Sequence, residues 1–503
     1  MMNQIKNEIS RQEKSRDAYT ENNARVHATT GKALLDMNFH VASYRGTMKN
    51  QLISDFTKAF ADTPDLAAKW IFFARDIREG LGERDLFRRT FTSLLQLNDG
   101  AIDLIKYIPE YGRWDDWTVF WGLSKKVDAA IVEMVAAQLA EDTANMEKGK
   151  AVSICAKWMP SVNTSDKGVR NMGRALAKAL NLTEKQYRKK LSALRAYLDV
   201  IEVKASKGDW ANIDYEKVPT QANLKYRNAF KRNDMSRYNE YLAKLEKGEA
   251  KINASTAFPH DIVCQYAVTE SMWDRSLAST EDAAIEAMWK ALPTYDISNT
   301  LVVADGSGSM TMNLPGTKAM ALDIANALAI YCSERNSGEF KDKYITFSDR
   351  PQFVDFSKAK SLLAKLKIAL THCEVASTDI VKVFKLILNA AKKNNMTQEE
   401  MVKNILIISD MEFNQGARLD MKLFDEIKAE YEDAGYKIPR CIFWNVNSRT
   451  GAVPMVENDL GVALVSGFSV HIAKMVMSGQ LDPFECLKET LLSKRYEPIK
   501  LIG

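Results

Sequence analysis

The sequence predicts an α + α/β chain, a helical-repeat module followed by a doubly wound, mainly parallel sheet domain. Three observations lead there. From about residue 50 to 290, apolar residues recur at helical spacing between short polar turns. From about residue 295 onward, short apolar runs such as Leu301–Ala304 and Asn404–Ser409 alternate with helical stripes of roughly 10–15 residues, the pattern of a buried parallel sheet. The 503 residues also exceed one ordinary domain, so two or more are expected.

In chain order, residues 1–45 are dominated by Asn, Lys, Glu and Thr and read as a polar N-terminal arm. In residues 46–294, Leu86, Phe87, Phe91, Leu94 and Leu95 share one helical face. Val127, Ile131, Met134, Val135 and Leu139 share another, and Tyr187, Leu191, Leu194, Tyr197, Leu198 and Ile201 a third. Breaks fall at Glu79-Gly80-Leu81-Gly82, Asn98-Asp99-Gly100, Tyr111-Gly112 and Met159-Pro160-Ser161. Helices joined by such brief turns over so long a stretch favour stacked repeats over one bundle, with ring or arc left open.

In residues 295–503 the first strand, Leu301–Ala304, is followed by an apolar helix over Thr317–Ser333. Strands are then expected at Lys343–Phe347 and around Phe353, with a helix through Leu362, Leu363, Leu366 and Ala369. A second helical stripe holds Ile380, Val383, Phe384, Ile387, Leu388 and Ala391, and the strand Asn404–Ser409 follows. The stripe from Leu419 to Ala434 ends at Gly435, a helix stop. Arg440–Val446 and Gly461–Val465 are the last strands, and Ser466–Ser478 and Phe484–Leu492 the closing helices.

Composition narrows the function classes. Apolar content of 46% and charged content of 27% describe a soluble globular protein. No apolar run approaches the ~20 residues that cross a bilayer, and the opening MMNQIKNEISRQEKSRD lacks a secretory apolar core, so no membrane role is expected. Cysteines 155, 264, 332, 373, 441 and 486 form no Cys-x-x-Cys, which suits a reducing, cytoplasmic setting without structural zinc. The five histidines form no His-Glu-x-x-His.

The net charge of +4 is unevenly spread: residues 147–251 hold 23 Lys+Arg against 12 Asp+Glu, so the remainder is net acidic. That asymmetry points to an anionic partner for the middle segment. Lys185, Arg188, Lys189, Lys190 and Arg195 crowd one helix; Lys225, Arg227, Lys231 and Arg232 crowd a second segment, with Tyr226 and Phe230 interleaved. Basic groups hold phosphates and aromatics stack on unpaired bases, so these nine are the candidate nucleic-acid contacts, against the plainer reading of solvated helix faces. Arg75, Arg78, Arg84, Arg88 and Arg89 lie among Asp76, Glu79, Glu83 and Asp85, which suggests internal ion pairs. Trp114-Asp115-Asp116 reads as a structural corner with Asp capping a helix.

At the end of the first strand, Asp305-Gly306-Ser307-Gly308-Ser309 sends a carboxylate and two hydroxyls out of one turn, hard oxygen donors suited to a divalent cation. This Asp-x-Ser-x-Ser pattern resembles the metal-ion-dependent adhesion site of von Willebrand factor A domains. The family completes its site with a threonine and an aspartate on two further loops, matched by Thr378 in Ser377-Thr378-Asp379 and by Asp410 after Asn404–Ser409. By resemblance Ser307, Ser309 and Thr378 bind the ion directly, and Asp305 and Asp410 directly or through water. Mg2+ is the ion expected first, with Mn2+ and Ca2+ as alternatives. Asp410-Met411-Glu412 departs from the family's usual Asp-Gly, leaving Glu412 either to alter metal preference or to face solvent.

Trp70–Phe87 (WIFFARDIREGLGERDLF), Ile108–Trp117 (IPEYGRWDDW) and Ala156–Ser161 (AKWMPS) resemble a family of phage, bacterial and plant proteins joining a helical module to a von Willebrand factor A domain. The arrangement is similar to the Ro autoantigen, whose TROVE module is a ring of HEAT-like repeats binding small noncoding or misfolded RNA. The resemblance implies a non-catalytic RNA-binding scaffold of Ro type, with the metal domain recruiting a protein partner through an acidic side chain. Two other classes stand beside it: a purely protein-binding assembly or adaptor module, and a metal-dependent hydrolase. Neither a nucleophile elbow nor a paired-metal carboxylate cluster supports the last, so no enzyme is expected.

Overall fold

The structure is a computed structural model that describes residues 17–268, 276–317, 319–347, 350–372, 378–476 and 480–501. Residues 1–16, Lys318, Ser377 and the 477–478 end of the expected closing helix lie outside them.

The stretch expected as a polar arm is built into the body from Asp17 onward. Asp17–Tyr19 (β1) and Arg25–His27 (β2) form an antiparallel hairpin. Ala24 and Val26 are buried, and the helix Ala33–Phe39 buries Leu34, Leu35, Met37 and Phe39. A three-residue strand with one buried side chain, Val26, leaves too little periodicity to stand out from the polar residues around it. His27 exchanges backbone hydrogen bonds with Val453 (3.0 and 2.8 Å), tying the hairpin to the far half of the chain.

Helices then run to residue 290; among the described residues the longest α-helix is Lys125–Glu147 and the shortest have four residues. Neighbouring pairs are therefore not copies of one unit. Local signals explain their ends: Pro64 opens Pro64–Arg75, and Thr183 and Gln186 form a capping box for Glu184–Tyr197. The expected internal ion pairs form around the Trp114 corner. Asp116, fully buried, accepts hydrogen bonds from Arg75 Nε (2.8 Å), Arg84 Nε (3.1 Å), Arg88 Nε (3.0 Å) and its own helix cap Arg113 N (3.0 Å). Residues 201–245 are held by an aromatic core of their own: Tyr215, Phe230, Tyr238 and Tyr241.

The sheet contains Thr300–Asp305 (β3), Lys343–Phe347 (β4), Gln352–Asp355 (β5), Asn404–Ser409 (β6), Arg440–Asn445 (β7) and Val462–Ser466 (β8), in the order β5-β4-β3-β6-β7-β8. Every neighbouring pair is parallel except β4–β5. β3, β7 and β8 are buried throughout, which is why they read as continuous apolar runs. The chain leaves β3 toward β4 on one side and returns to β6 on the other. Ligands of such sheets sit where the strand order reverses, here between the carboxyl ends of β3 and β6.

The helical part and the sheet share one hydrophobic core reaching from Ala24 to Ile499. After the helix Pro483–Leu491 the chain returns to the helical part. Arg495 Nε bonds Asp76 Oδ2 (2.8 Å) and its guanidinium lies 4.6 Å from the centre of the Tyr111 ring. The Tyr496 ring stacks on Tyr111 and packs edge-on against Phe73. Among the described residues, no helix is long and apolar enough to cross a membrane.

Candidate functional site at the carboxyl edge of the sheet

Asp305, at the last position of β3, is 1% exposed and held by two neighbours. Its Oδ1 accepts from Ser307 N (2.9 Å) and its Oδ2 from Ser409 Oγ (2.6 Å), so the ends of β3 and β6 are locked together through one carboxylate. The Ser307 and Ser309 hydroxyls share a hydrogen bond of 3.0 Å. Asp410 follows β6 and is fully buried; its Oδ1 accepts from Glu412 N (3.2 Å), and the Ser309 hydroxyl lies beside the same carboxylate and favours its charged form. Four of the five sequence-predicted metal residues thus form one contiguous cluster. The fifth, Thr378, is also buried and reaches the cluster's border through Asn22, whose Nδ2 donates to Thr378 Oγ1 (3.4 Å) and to Glu412 O (2.6 Å).

Electrostatics set this cluster apart. Burial, with the adjacent Asp305 charge, pushes the Asp410 carboxyl up to about 7, against the pull of Arg449 and Ser309. Burial likewise raises Asp305, despite the hydrogen bonds from Ser409 and Ser307. Asp410 Oδ2 is buried with no hydrogen-bond partner, and Arg449 Nη1 lies 3.3 Å from it as an ion pair. Two buried carboxylates, Asp305 and Asp410, feel that one guanidinium, whose other nitrogen is paired with Glu21.

Glu412 neither faces solvent nor points at the hydroxyl cluster. Its Oε1 accepts from Arg449 N (2.7 Å), Thr450 N (3.0 Å) and Thr450 Oγ1 (3.1 Å), and its Oε2 from Glu21 N (2.7 Å). It is a staple joining the hairpin to the loop after β7. Met411 between the two acids has φ = 63°, the left-handed region that glycine adopts freely and that costs another residue about 1–2 kcal/mol. A bond from Met411 N to Ser409 Oγ (2.9 Å) and a buried side chain hold it there. Among the described residues, no group of three or more His, Cys, Asp or Glu is placed to hold a metal ion.

Sequence reasoning missed Arg449, Asn22 and Glu21. Nothing in the 446–451 loop marks its arginine, and the hairpin lies some 390 residues from its seat. Of the basic residues, Lys185, Arg188 and Lys189 are exposed on the outer face of Glu184–Tyr197, with no ion pair among the described residues; Lys190 is half-buried, and Lys225 and Arg232 are exposed. Three others have internal work. Arg195 donates to Ala156 O (2.8 Å), Met159 O (2.7 Å) and Ser161 Oγ (2.8 Å), closing the end of a short helix. Arg227 and Lys231 engage Asp282 (3.4 and 2.8 Å). Phe230 is wholly buried in the aromatic core, so it offers no face for stacking.

Two family models match this chain. One, described as a domain of unknown function (DUF2828), matches residues 20–97 and 125–295; the other, also described as a domain of unknown function (DUF7788), matches residues 299–495. The chain is similar to "Uncharacterized protein L728" of Acanthamoeba polyphaga mimivirus, at 29% identity over 517 residues, covering 94% of this chain and 87% of that protein. Among solved structures it matches the crystal structure of the Deinococcus radiodurans RO (RSR) protein at 14% identity and a TM-score of 0.43, over 87% of this chain and 92% of that one. A likeness that loose carries neither fold detail nor function.

Proposed function

We propose that this chain is a non-catalytic RNA-binding scaffold whose sheet domain recruits a protein partner through a divalent cation. The observation that carries the RNA half is the helical hairpin 167–197: nine Lys/Arg and one Glu, with Lys185, Arg188 and Lys189 exposed on its outer side. Such a surface attracts a polyanion by phosphate contact without reading sequence. The resemblance of the two-part arrangement to the Ro autoantigen, read from the sequence, makes RNA the polyanion proposed.

The donor chemistry at the sheet edge fits a hard cation. Ser307, Ser309 and Thr378 would hold it directly, and Asp305 and Asp410 directly or through water, with Mg2+ preferred over Mn2+ and Ca2+. The buried carboxylates Asp305 and Asp410 support that reading, as does Asp410 Oδ2, which accepts no hydrogen bond and has the Arg449 guanidinium 3.3 Å away. A bound cation would supply positive charge able to accept a partner's carboxylate. Asp305, locked by Ser307 and Ser409, keeps the two loops in register for it.

The test is a salt titration of RNA binding. Replacing Lys185, Arg188 and Lys189 together by Glu is expected to weaken binding and lower the slope of log K against log salt by about 2, at ~0.7 for each phosphate no longer neutralised. Equal affinity and slope in the two proteins would overturn the RNA reading. A second reading, a protein-only adaptor, is favoured by the internal engagement of Arg195, Arg227 and Lys231, which removes three of the nine candidate RNA-binding residues. It predicts a purified protein free of nucleic acid.

A further inference from the structure

Two of the five side chains assigned to the cation already have partners drawn from one place. Asn22 Nδ2 donates to the Thr378 hydroxyl (3.4 Å), and Arg449 Nη1 lies 3.3 Å from Asp410 Oδ2. Arg449 is paired in turn with Glu21, the neighbour of Asn22. The turn that carries both residues, Thr20–Asn23, is fastened to the third loop of the site. Glu21 N donates to Glu412 Oε2 (2.7 Å), Asn22 Nδ2 to Glu412 O (2.6 Å), Thr20 Oγ1 to Phe413 O (2.6 Å), and Gln415 N to Asn22 O (3.2 Å). The Arg449 side chain is only 12% exposed, so it lies over Asp410 rather than in solvent.

We propose that the turn Thr20–Asn23 and Arg449 form a plug that the divalent cation displaces, opening the seat of the turn to an acidic segment of a second protein. This rests on the cation reading above. The guanidinium supplies the positive charge beside Asp410, and a dication at the same carboxylate would repel it. The Thr378 lone pair given to Asn22 is withdrawn from the ion for as long as the turn stays seated. Once Arg449 swings away, Glu21 loses its counter-charge and only neutral and backbone bonds restrain the turn. The vacated seat offers the carbonyls of Glu412 and Phe413, the amide of Gln415 and a released guanidinium. Those groups suit an extended backbone carrying a carboxylate, the chemistry with which Glu21 and its neighbours hold the place now.

The experiment uses the full chain with Mg2+ alone as the probe, reading Mg2+ affinity by calorimetry and amide hydrogen exchange in residues 17–27. Arg449→Met is expected to bind Mg2+ about tenfold more tightly than wild type, and Asn22→Ala about threefold. Mg2+ should speed exchange of the hairpin amides in wild type and leave Asp305→Ala unchanged. Arg449→Met retains the backbone N–H that bonds Glu412, and a wild-type melting curve confirms its fold. Equal Mg2+ affinities in wild type, Arg449→Met and Asn22→Ala overturn the plug but leave the cation site standing. Tighter binding by Arg449→Met with no change in wild-type exchange overturns the link to the turn. Absence of Mg2+ binding in all three proteins overturns both the plug and the cation site.

Discussion

Among the described residues, two carboxylate clusters built around buried aspartates, Asp116 and Asp410, have opposite charge balance. Around Trp114, Asp115 and Asp116 are surrounded by Arg75, Arg84, Arg88 and Arg113. Burial pushes Asp116 up, but Arg75 and the bond from Arg113 more than reverse it and leave the carboxyl below its ordinary value. At the sheet edge Asp305 and Asp410 share the one guanidinium of Arg449, and Asp410 rises to about 7. A buried cluster supplied with counter-charge from its own helices is complete, whereas the one left in deficit is where we propose that a cation binds.

The strongest way to break that comparison is to make the same change in both places. Asp116→Asn leaves Arg75, 3% exposed, without its counter-charge and should destabilise the fold by about 3–5 kcal/mol, read by urea denaturation. Asp410→Asn in metal-free buffer at about pH 8 should do the reverse and stabilise by about 1–3 kcal/mol, since it removes a charge that burial disfavours. Destabilisation by both to the same extent would show that the sheet-edge cluster is as structural as the other. Adding Mg2+ should then raise the melting temperature of wild type and not that of Asp410→Asn.

His260 shows a third way to bury a titratable group, which is to leave it neutral. Burial between Phe258 and Phe468 lowers its pKa from 6.5 to about 4. The unfolded chain therefore binds the proton first, and stability falls as pH drops from about 6.5 toward about 4. His260→Phe should remove about 2 kcal/mol of that loss at about pH 5, measured as the change in unfolding free energy between about pH 7.5 and 5. The smallest effect is reserved for the exposed cations. Arg188→Ala should shift stability by no more than about 0.5 kcal/mol, because the side chain is exposed and has no ion pair among the described residues.

Much of this was legible in the residues because it depends on local spacing. The β3 turn announces itself through a buried apolar run ending in Asp305 and two serines. The strand Lys343–Phe347 falls where alternating elements put it. Thr378 is buried at the border of the same cluster. Other features depend on partners far along the chain. Glu412 could not be read as a staple, because one of its donors is at Glu21 and the others at Arg449 and Thr450. Arg195 looks like its basic neighbours in sequence, and only the docking of its helix on Ala156–Ser161 turns it inward. Phe230 reads as a free aromatic until Tyr215 and Tyr238 close over it.

The return of Arg495 and Tyr496 to Asp76, Phe73 and Tyr111 bears on how the protein is made. Asp76, fully buried, meets its arginine only after more than four hundred further residues have been synthesised. Arg78 N bonds Asp76 Oδ1 (3.0 Å) locally, but the guanidinium and the ring that covers Phe73 and Tyr111 come from Arg495 and Tyr496. Nascent chains stalled before Arg495 are expected to remain open to protease at Pro64–Arg75, and those extended past Tyr496 to be protected.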